Sequence, residues 1–110
     1  MSYIKHMGLL SQAYSDLEID YDNAVTCSNN TAYIPERAGV FCAQGTASND
    51  SASLEVVATR AGVTVPIRNQ SIARGASNGL RASIVVGKGD TCRASAANCT
   101  GISVMFYPFK

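Results

Sequence analysis

Two apolar runs near the C-terminus decide the fold that this sequence predicts, LRASIVV at Leu80–Val86 and ISVMFYPF at Ile102–Phe109. In each run apolar residues recur at every second position, and many of them are β-branched or aromatic. That period of two is typical of β-strands. We expect the two runs to pair as a C-terminal hairpin, joined by a polar connection that carries Cys92 and Cys99.

The second run is apolar on both of its faces. Val104 and Phe106 share one face, whereas Met105, Tyr107 and Phe109 share the other. Such a strand either lies centrally between two layers, which we prefer, or exposes one face to a partner. Met105, Tyr107 and Phe109 are therefore candidate interface residues.

Turn-forming residues recur about every ten residues along the rest of the chain. Between them the sequence predicts further strands at Asp16–Cys27, Ala38–Ala43, Leu54–Thr59 and Val63–Ile67. Because proline would leave a ladder bond unmade, the strand that contains Pro66 is expected at a sheet edge. No clear helix separates consecutive strands, so the pattern favours an all-β fold, a small antiparallel β-sandwich or barrel of about six to eight strands.

The length of 110 residues indicates one domain. We expect a single β domain over residues 16–110, preceded by an N-terminal arm or short helix at Met1–Ser15. No apolar run approaches the ~20 residues of a membrane helix, so no membrane span is expected. No targeting signal is recognisable at the N-terminus.

Charged residues make up only 15% of the chain, and small neutral residues fill much of the remainder. Such a surface is common in proteins that sit in assemblies or outside cells. The net charge of +1 gives no bulk attraction to nucleic acid.

The charges are nevertheless unevenly distributed along the chain. Residues 1–36 hold one basic and five acidic residues, and residues 37–110 hold eight basic and three acidic residues. One face of the first predicted strand is acidic, and its members are further candidate interface residues: Asp16, Glu18, Asp20 and Asp22. We expect this face either to be solvated or to pair with the basic part, within one chain or between neighbours.

Four cysteines allow three disulfide connectivities. A hairpin that turns before Pro35 would place Cys27 opposite Cys42, and the six residues between Cys92 and Cys99 are mostly small. The sequence therefore predicts the disulfides 27–42 and 92–99, with four free buried thiols as the alternative. The spacing lacks the C-x2-4-C knuckle that zinc sites prefer, so no metal site is predicted.

No arrangement of catalytic residues can be recognised. His6 is the single histidine and stands apart from any plausible nucleophile and acid. A calcium loop beginning at Asp16 would need glycine and glutamate where Tyr21 and Cys27 stand. Phosphate-binding glycine motifs are missing as well. We therefore expect a non-enzymatic protein without a cofactor or an evident small-molecule substrate.

The Cys92–Cys99 segment, followed by a closing strand, resembles the C-terminal region of type IV pilins. The Phe-rich N-terminal helix of that family and its glutamate have no counterpart in this sequence. The resemblance implies a secreted or cell-surface binding module, pilin-like or adhesin-like, with disulfide-stapled loops.

The preferred hypothesis from the sequence is a structural subunit that contacts protein neighbours in a homo- or hetero-oligomeric assembly. A virus or phage particle is the expected setting, with the chain as a capsid-decorating or minor virion protein. The extracellular or cell-surface module is the alternative.

Overall fold

The computed structural model describes residues 18–70 and 79–110. These residues form a short 3-10 helix and seven strands: the helix at Tyr21–Asn23, then β1 (Val25–Cys27), β2 (Gly39–Ala47), β3 (Ser53–Arg60), β4 (Val63–Gln70), β5 (Gly79–Val86), β6 (Thr91–Ala97) and β7 (Cys99–Pro108). The all-β fold expected from the sequence is thus confirmed. The arm or helix predicted for Met1–Ser15 lies outside the described residues, and so does Asp16.

The strands form two antiparallel sheets, as a β-sandwich requires. The four-stranded sheet has the order β1-β7-β2-β5, and the three-stranded sheet has the order β4-β3-β6. Side chains that point between the sheets make the core, in which the largest fully buried residues are Phe41, Phe106, Leu54 and Val56. Burying each such side chain contributes about 1.5–3 kcal/mol. The core therefore joins the sheets chiefly through β2, β3 and β7.

Strand β7 lies inside its sheet. Phe106 is paired with Val25 of β1 on one side and with Phe41 of β2 on the other. Its inward residues Val104 and Phe106 are buried, whereas Met105 and Tyr107 on the opposite face are only half-buried. In the described residues β7 is thus central within its sheet, and its outward face remains partly exposed.

The predicted C-terminal hairpin is wrong, because β2 lies between β5 and β7. Val40 of β2 is paired with Val85 on one side and with Tyr107 on the other. The expected polar connection contains β6, which pairs with β3 in the other sheet. Its inward residues are Cys92 and Ala94. These small side chains gave no strong apolar alternation, so the sequence did not reveal the strand.

The first predicted strand, Asp16–Cys27, is only partly correct. Within its described part, Ile19 forms an isolated bridge to Phe109, a 3-10 turn follows, and β1 comes last. The turn is held locally, because the Asn23 side-chain amide donates a 2.8 Å hydrogen bond to the Asp20 carboxylate. Polar side chains that bond nearby groups in this way compete with ladder formation.

The hairpin of β3 and β4 agrees with the sequence. Its turn residues Ala61 and Gly62 have φ values of 50° and 81°, which the tight two-residue turns of hairpins require. Pro66 lies in β4, at the edge of the three-stranded sheet. The edge position predicted from this proline is confirmed.

Neither predicted disulfide exists, because all four cysteines are free thiols. Strand β7 separates Cys27 from Cys42 by two strand spacings, or about 9.5 Å. Cys27 also lies opposite the inward-facing Val104, whereas Cys42 lies opposite the outward-facing Met105. Disulfides need Cα atoms within about 4.4–6.8 Å, so the pair cannot be bridged.

The second predicted disulfide fails for a different reason. Cys92 lies near the start of β6, opposite Ala58, whereas Cys99 begins β7, opposite Ala47. The residues between them form an extended strand, not the compact ring that a disulfide would close. The pilin-like stapled loop therefore has no counterpart in the fold.

We predict that the unfolded, unreduced protein reacts with four equivalents of a thiol-alkylating reagent. In the folded protein Cys92 should react slowest, because it is fully buried and burial raises the pKa of its thiol to about 11. Its rate should still be rising with pH above pH 9, where an ordinary thiol is already largely ionised. Peptide mass spectrometry gives the rate at each cysteine. A mass two units below that of the reduced chain would contradict this prediction.

We predict that Gly39→Ala destabilises the protein by about 1–3 kcal/mol through overpacking. A Cβ atom at Gly39 would lie 2.7 Å from the Phe106 ring and 2.7 Å from Cα of Pro108. Gly79→Ala is the matched control, since a Cβ atom there would meet nothing within 4 Å. Urea unfolding of both variants measures the difference, and equal midpoints would contradict the packing described for β7.

Candidate interaction surface

The outward-facing side of the four-stranded sheet is unusually apolar. We call it the outer face and define it by the outward residues of β2, β5 and β7 with the two apolar residues that precede β1: Val40, Cys42, Val85, Met105 and Tyr107, with Ile19 and Tyr21. Its polar end carries Gln44 and Arg81, whose side chains are hydrogen-bonded at 3.2 Å. Ser83, opposite Cys42, and Ser103, opposite Gln44, add hydroxyls to a face whose other residues are mainly apolar.

The outward-facing side of the three-stranded sheet is different. It carries an ion pair between Arg68 and Glu55 at 2.9 Å and a hydroxyl pair between Thr59 and Thr64 at 3.0 Å. Arg93 is exposed on the neighbouring strand. An antiparallel sheet with one face on the core normally presents such a polar face to water. The two outward faces of this sandwich therefore differ in chemistry, and the outer face departs from the usual pattern.

A groove of about 340 Å³ runs over the outer face. Cys42 and Met105 lie next to each other in it, because they are directly opposite across β2 and β7. The Tyr21 ring packs edge-on against Tyr107 with centroids 5.8 Å apart, yet Tyr21 remains 69% exposed. Val85, paired with Val40 on the neighbouring strand, is 68% exposed and lies just outside the groove. The groove thus offers aromatic and aliphatic contact area that the described residues leave open.

Three of the acidic candidates, Glu18, Asp20 and Asp22, are described and border one end of the outer face, and two of them are paired within the chain. Asp20 accepts hydrogen bonds from Asn23 and from Arg37, the latter at 2.8 Å, and these bonds hold the pKa of its carboxyl below the usual value. Glu18 lies 3.6 Å from the Lys110 ammonium. Both pairs join the acidic N-terminal part to the basic remainder. Asp22 is exposed.

Of the other candidates, Met105 and Tyr107 belong to the outer face, and Phe109 lies at its end, bridged to Ile19. The sequence analysis missed Val40 and Val85. The signal that identified β7, apolar residues at consecutive positions of a strand, is also present around both of them.

A second apolar area lies at the open side of the sandwich, where edge strands β4 and β5 approach each other. Val63, Val65 and Ile67 of β4 are 65%, 47% and 41% exposed. Val65 and Ile67 lie opposite core residues of β3, but the facing sheet does not bury their side chains. Val63, Val65 and Ile84 border a depression of about 460 Å³, and Val85 lies at its rim as well. This area we call the open side.

Strand addition at the open side is blocked by Pro66. In a two-residue hairpin the flanking residues, here Arg60 and Val63, form a hydrogen-bonded pair. Hydrogen-bonded and non-bonded pairs alternate along the ladder, so the backbone groups of Thr64, Pro66 and Arg68 point away from β3. Pro66 has no N–H to offer at the middle of this free edge. Its position limits edge-to-edge pairing with other chains.

We predict that Pro66→Thr increases aggregation, because it restores an outward N–H on an edge strand rich in β-branched residues. Val65→Thr serves as the matched control, since the backbone of Val65 faces β3. Light scattering and amyloid-dye fluorescence at a fixed concentration should rise for the first variant and not for the second. Identical traces for Pro66→Thr and the parent chain would show that proline does not protect this edge.

The one buried charged side chain among the described residues has a structural role. Asp90 accepts two hydrogen bonds from Arg60, at 2.6 and 3.0 Å, and one from the Gly87 amide at 2.7 Å. The Arg60 guanidinium is the main cause of the lowered pKa of this carboxyl. The bonds fix the β5–β6 turn against the end of β3.

Within residues 18–70 and 79–110, no three His, Cys, Asp or Glu side chains converge in a way that could hold a metal ion. His6 lies outside the described residues. No helix in the described part is long and apolar enough to cross a membrane.

Comparisons of the chain with protein-family models, with curated proteins and with solved structures found no match.

Proposed function

We propose that the chain is a structural subunit of a larger assembly and that its outer face is buried against a neighbouring subunit. The setting favoured by the composition is a virus or phage particle, to which the chain would belong as a decorating or minor virion protein. The assembly role rests on the surface described above, and the viral setting rests on the sequence.

The observation that carries the proposal is the contrast between the two outward faces of the sandwich. The three-stranded sheet presents paired charges and hydroxyls on either side of Val57 and Pro66. The four-stranded sheet presents a larger apolar set, Val40, Val85, Met105 and Tyr107. Exposed apolar areas with a polar border typically mark sites of protein–protein contact.

The distribution of charge on the outer face supports the same role. Its charges lie at the border, where Arg81 is bonded to Gln44 and Asp20 is bonded to Arg37. A neighbour could therefore cover the centre without desolvating an unpaired charge, which is the expensive step in association. An apolar centre and a polar rim are the usual anatomy of an interface.

The alternative, a cell-surface module with stapled loops, was inferred from disulfides that the structure does not contain. The four thiols are free, and the segment expected to be a stapled loop forms β6. No other observation in the described residues favours that module over a structural subunit.

We predict that the chain self-associates and that Val85→Lys weakens this association at least tenfold, or about 1.4 kcal/mol. The lysine would place an unpaired charge within the proposed interface, while the high exposure of Val85 lets the monomer fold. The matched control is Thr91→Lys, an exposed strand residue on the three-stranded sheet.

Sedimentation equilibrium over a range of concentrations measures the association of all three chains. Circular dichroism establishes that each variant is folded. A parent chain that remains monomeric throughout, or equal weakening by both lysines, would contradict the proposal.

A further inference from the structure

We propose that the N-terminal segment, residues 1–17, of one copy of the chain binds the groove on the outer face of the next copy. This inference rests on the proposed function and names the part of the neighbour that makes the contact.

The described residues show where the segment joins the domain. The Lys110 amide donates a 2.8 Å hydrogen bond to the Glu18 carbonyl, and Ile19 is bridged to Phe109. Ile19 is also one of the residues that line the groove. The residues that follow the segment, Glu18 and Ile19, therefore lie at one end of the outer face.

The direction of departure favours a neighbouring copy over the same chain. Residues 18–20 run antiparallel to the end of β7, since Glu18 is bonded to Lys110 and Asp20 donates to the Pro108 carbonyl. At Glu18 the backbone is therefore directed past the C-terminus and away from the groove. The same chain could cover its own groove only after a reversal, whereas a neighbour beyond that end could be reached without one.

The segment has the length and the composition that the groove requires. Seventeen extended residues can span up to about 56–61 Å, against about 14 Å for the stretch of β7 from Ser103 to Tyr107. Nine of the 17 residues are apolar and only Lys5 and Asp16 carry full charges. A segment of this kind matches an apolar groove whose charges lie at its border.

The contact would join two different surfaces of the same chain, a donated segment and an accepting groove. Such a heterologous contact leaves each copy with one segment to donate and one groove to fill. It therefore builds rings or rows of copies, which suits a subunit of a larger assembly.

The test uses the full chain and two double variants. Leu9→Glu with Leu10→Glu places charge on the apolar part of the segment, and Ser11→Glu with Gln12→Glu adds the same charge beside it as a control. The readouts are sedimentation equilibrium and the alkylation rate of Cys42, which lies in the groove. The rate at Cys27, on the inner face, is the internal reference.

We expect Cys42 of the parent chain to become at least tenfold more reactive on dilution, as copies separate. The leucine double variant should show the fast rate and the weakened association at every concentration, and the control should behave as the parent does. Protection of Cys42 that is independent of concentration but lost in the leucine variant would show that the segment covers its own groove, which contradicts the proposal.

Two further results would separate this inference from the proposed function. Association that Val85→Lys weakens but the leucine variant leaves intact would overturn the role of the segment and keep the outer face as an interface. Absence of association in the parent chain, with equal Cys42 rates in all chains, would overturn both.

Discussion

The placement of β7 between β1 and β2 is the constraint on which the rest of the structure depends. Its inward side chains close the core, where Phe106 lies beside Phe41. Its outward side chains, Met105 and Tyr107, supply the middle of the outer face. Because side chains alternate along a strand, a shift of one residue in register would exchange these two sets. Core and candidate interface are thus fixed by the same register.

Neighbouring elements hold β7 in this position from both ends. At its start, Asn98 adopts a φ of 56° at the corner that transfers the chain from the three-stranded to the four-stranded sheet. At its end, Gly39 leaves room for the backbone of Tyr107 and Pro108. The bridge between Ile19 and Phe109 adds the residues that lead into the N-terminal segment. The bridge that orders the end of β7 therefore also positions Ile19 at one end of the groove.

Strong local signals made much of the fold predictable from the sequence. The β3–β4 hairpin follows from two apolar runs around a turn, and Pro66 marks its edge strand.

Strand β6 could not be found in this way, since alanine, serine and threonine give little periodic contrast. The predicted pairing of β5 with β7 was also wrong. The two strands are close in sequence, but β2, which comes much earlier in the chain, lies between them in the sheet. The disulfide predicted between Cys27 and Cys42 depended on a local hairpin of β1 and β2, and it is invalidated because β7 lies between these two strands.

For the candidate surface, the sequence identified the outward residues of β7 but not the whole face. Met105 and Tyr107 stood out because the strand is apolar at consecutive positions. Their neighbours Val40 and Val85 also lie in runs of consecutive apolar residues, but only the pairing of the three strands shows that they share a face with Met105 and Tyr107. The acidic residues were found, but their partners Arg37 and Lys110 are distant in sequence and required the fold.

Residue-resolved amide hydrogen exchange tests the central placement of β7 most directly. The account predicts that the amides of Val104 to Tyr107, which lie between two paired strands, exchange among the slowest in the protein. The outward amides of Thr64 and Arg68 on the edge strand β4 should exchange orders of magnitude faster. Exchange of the β7 amides as fast as those at the β4 edge would contradict the account.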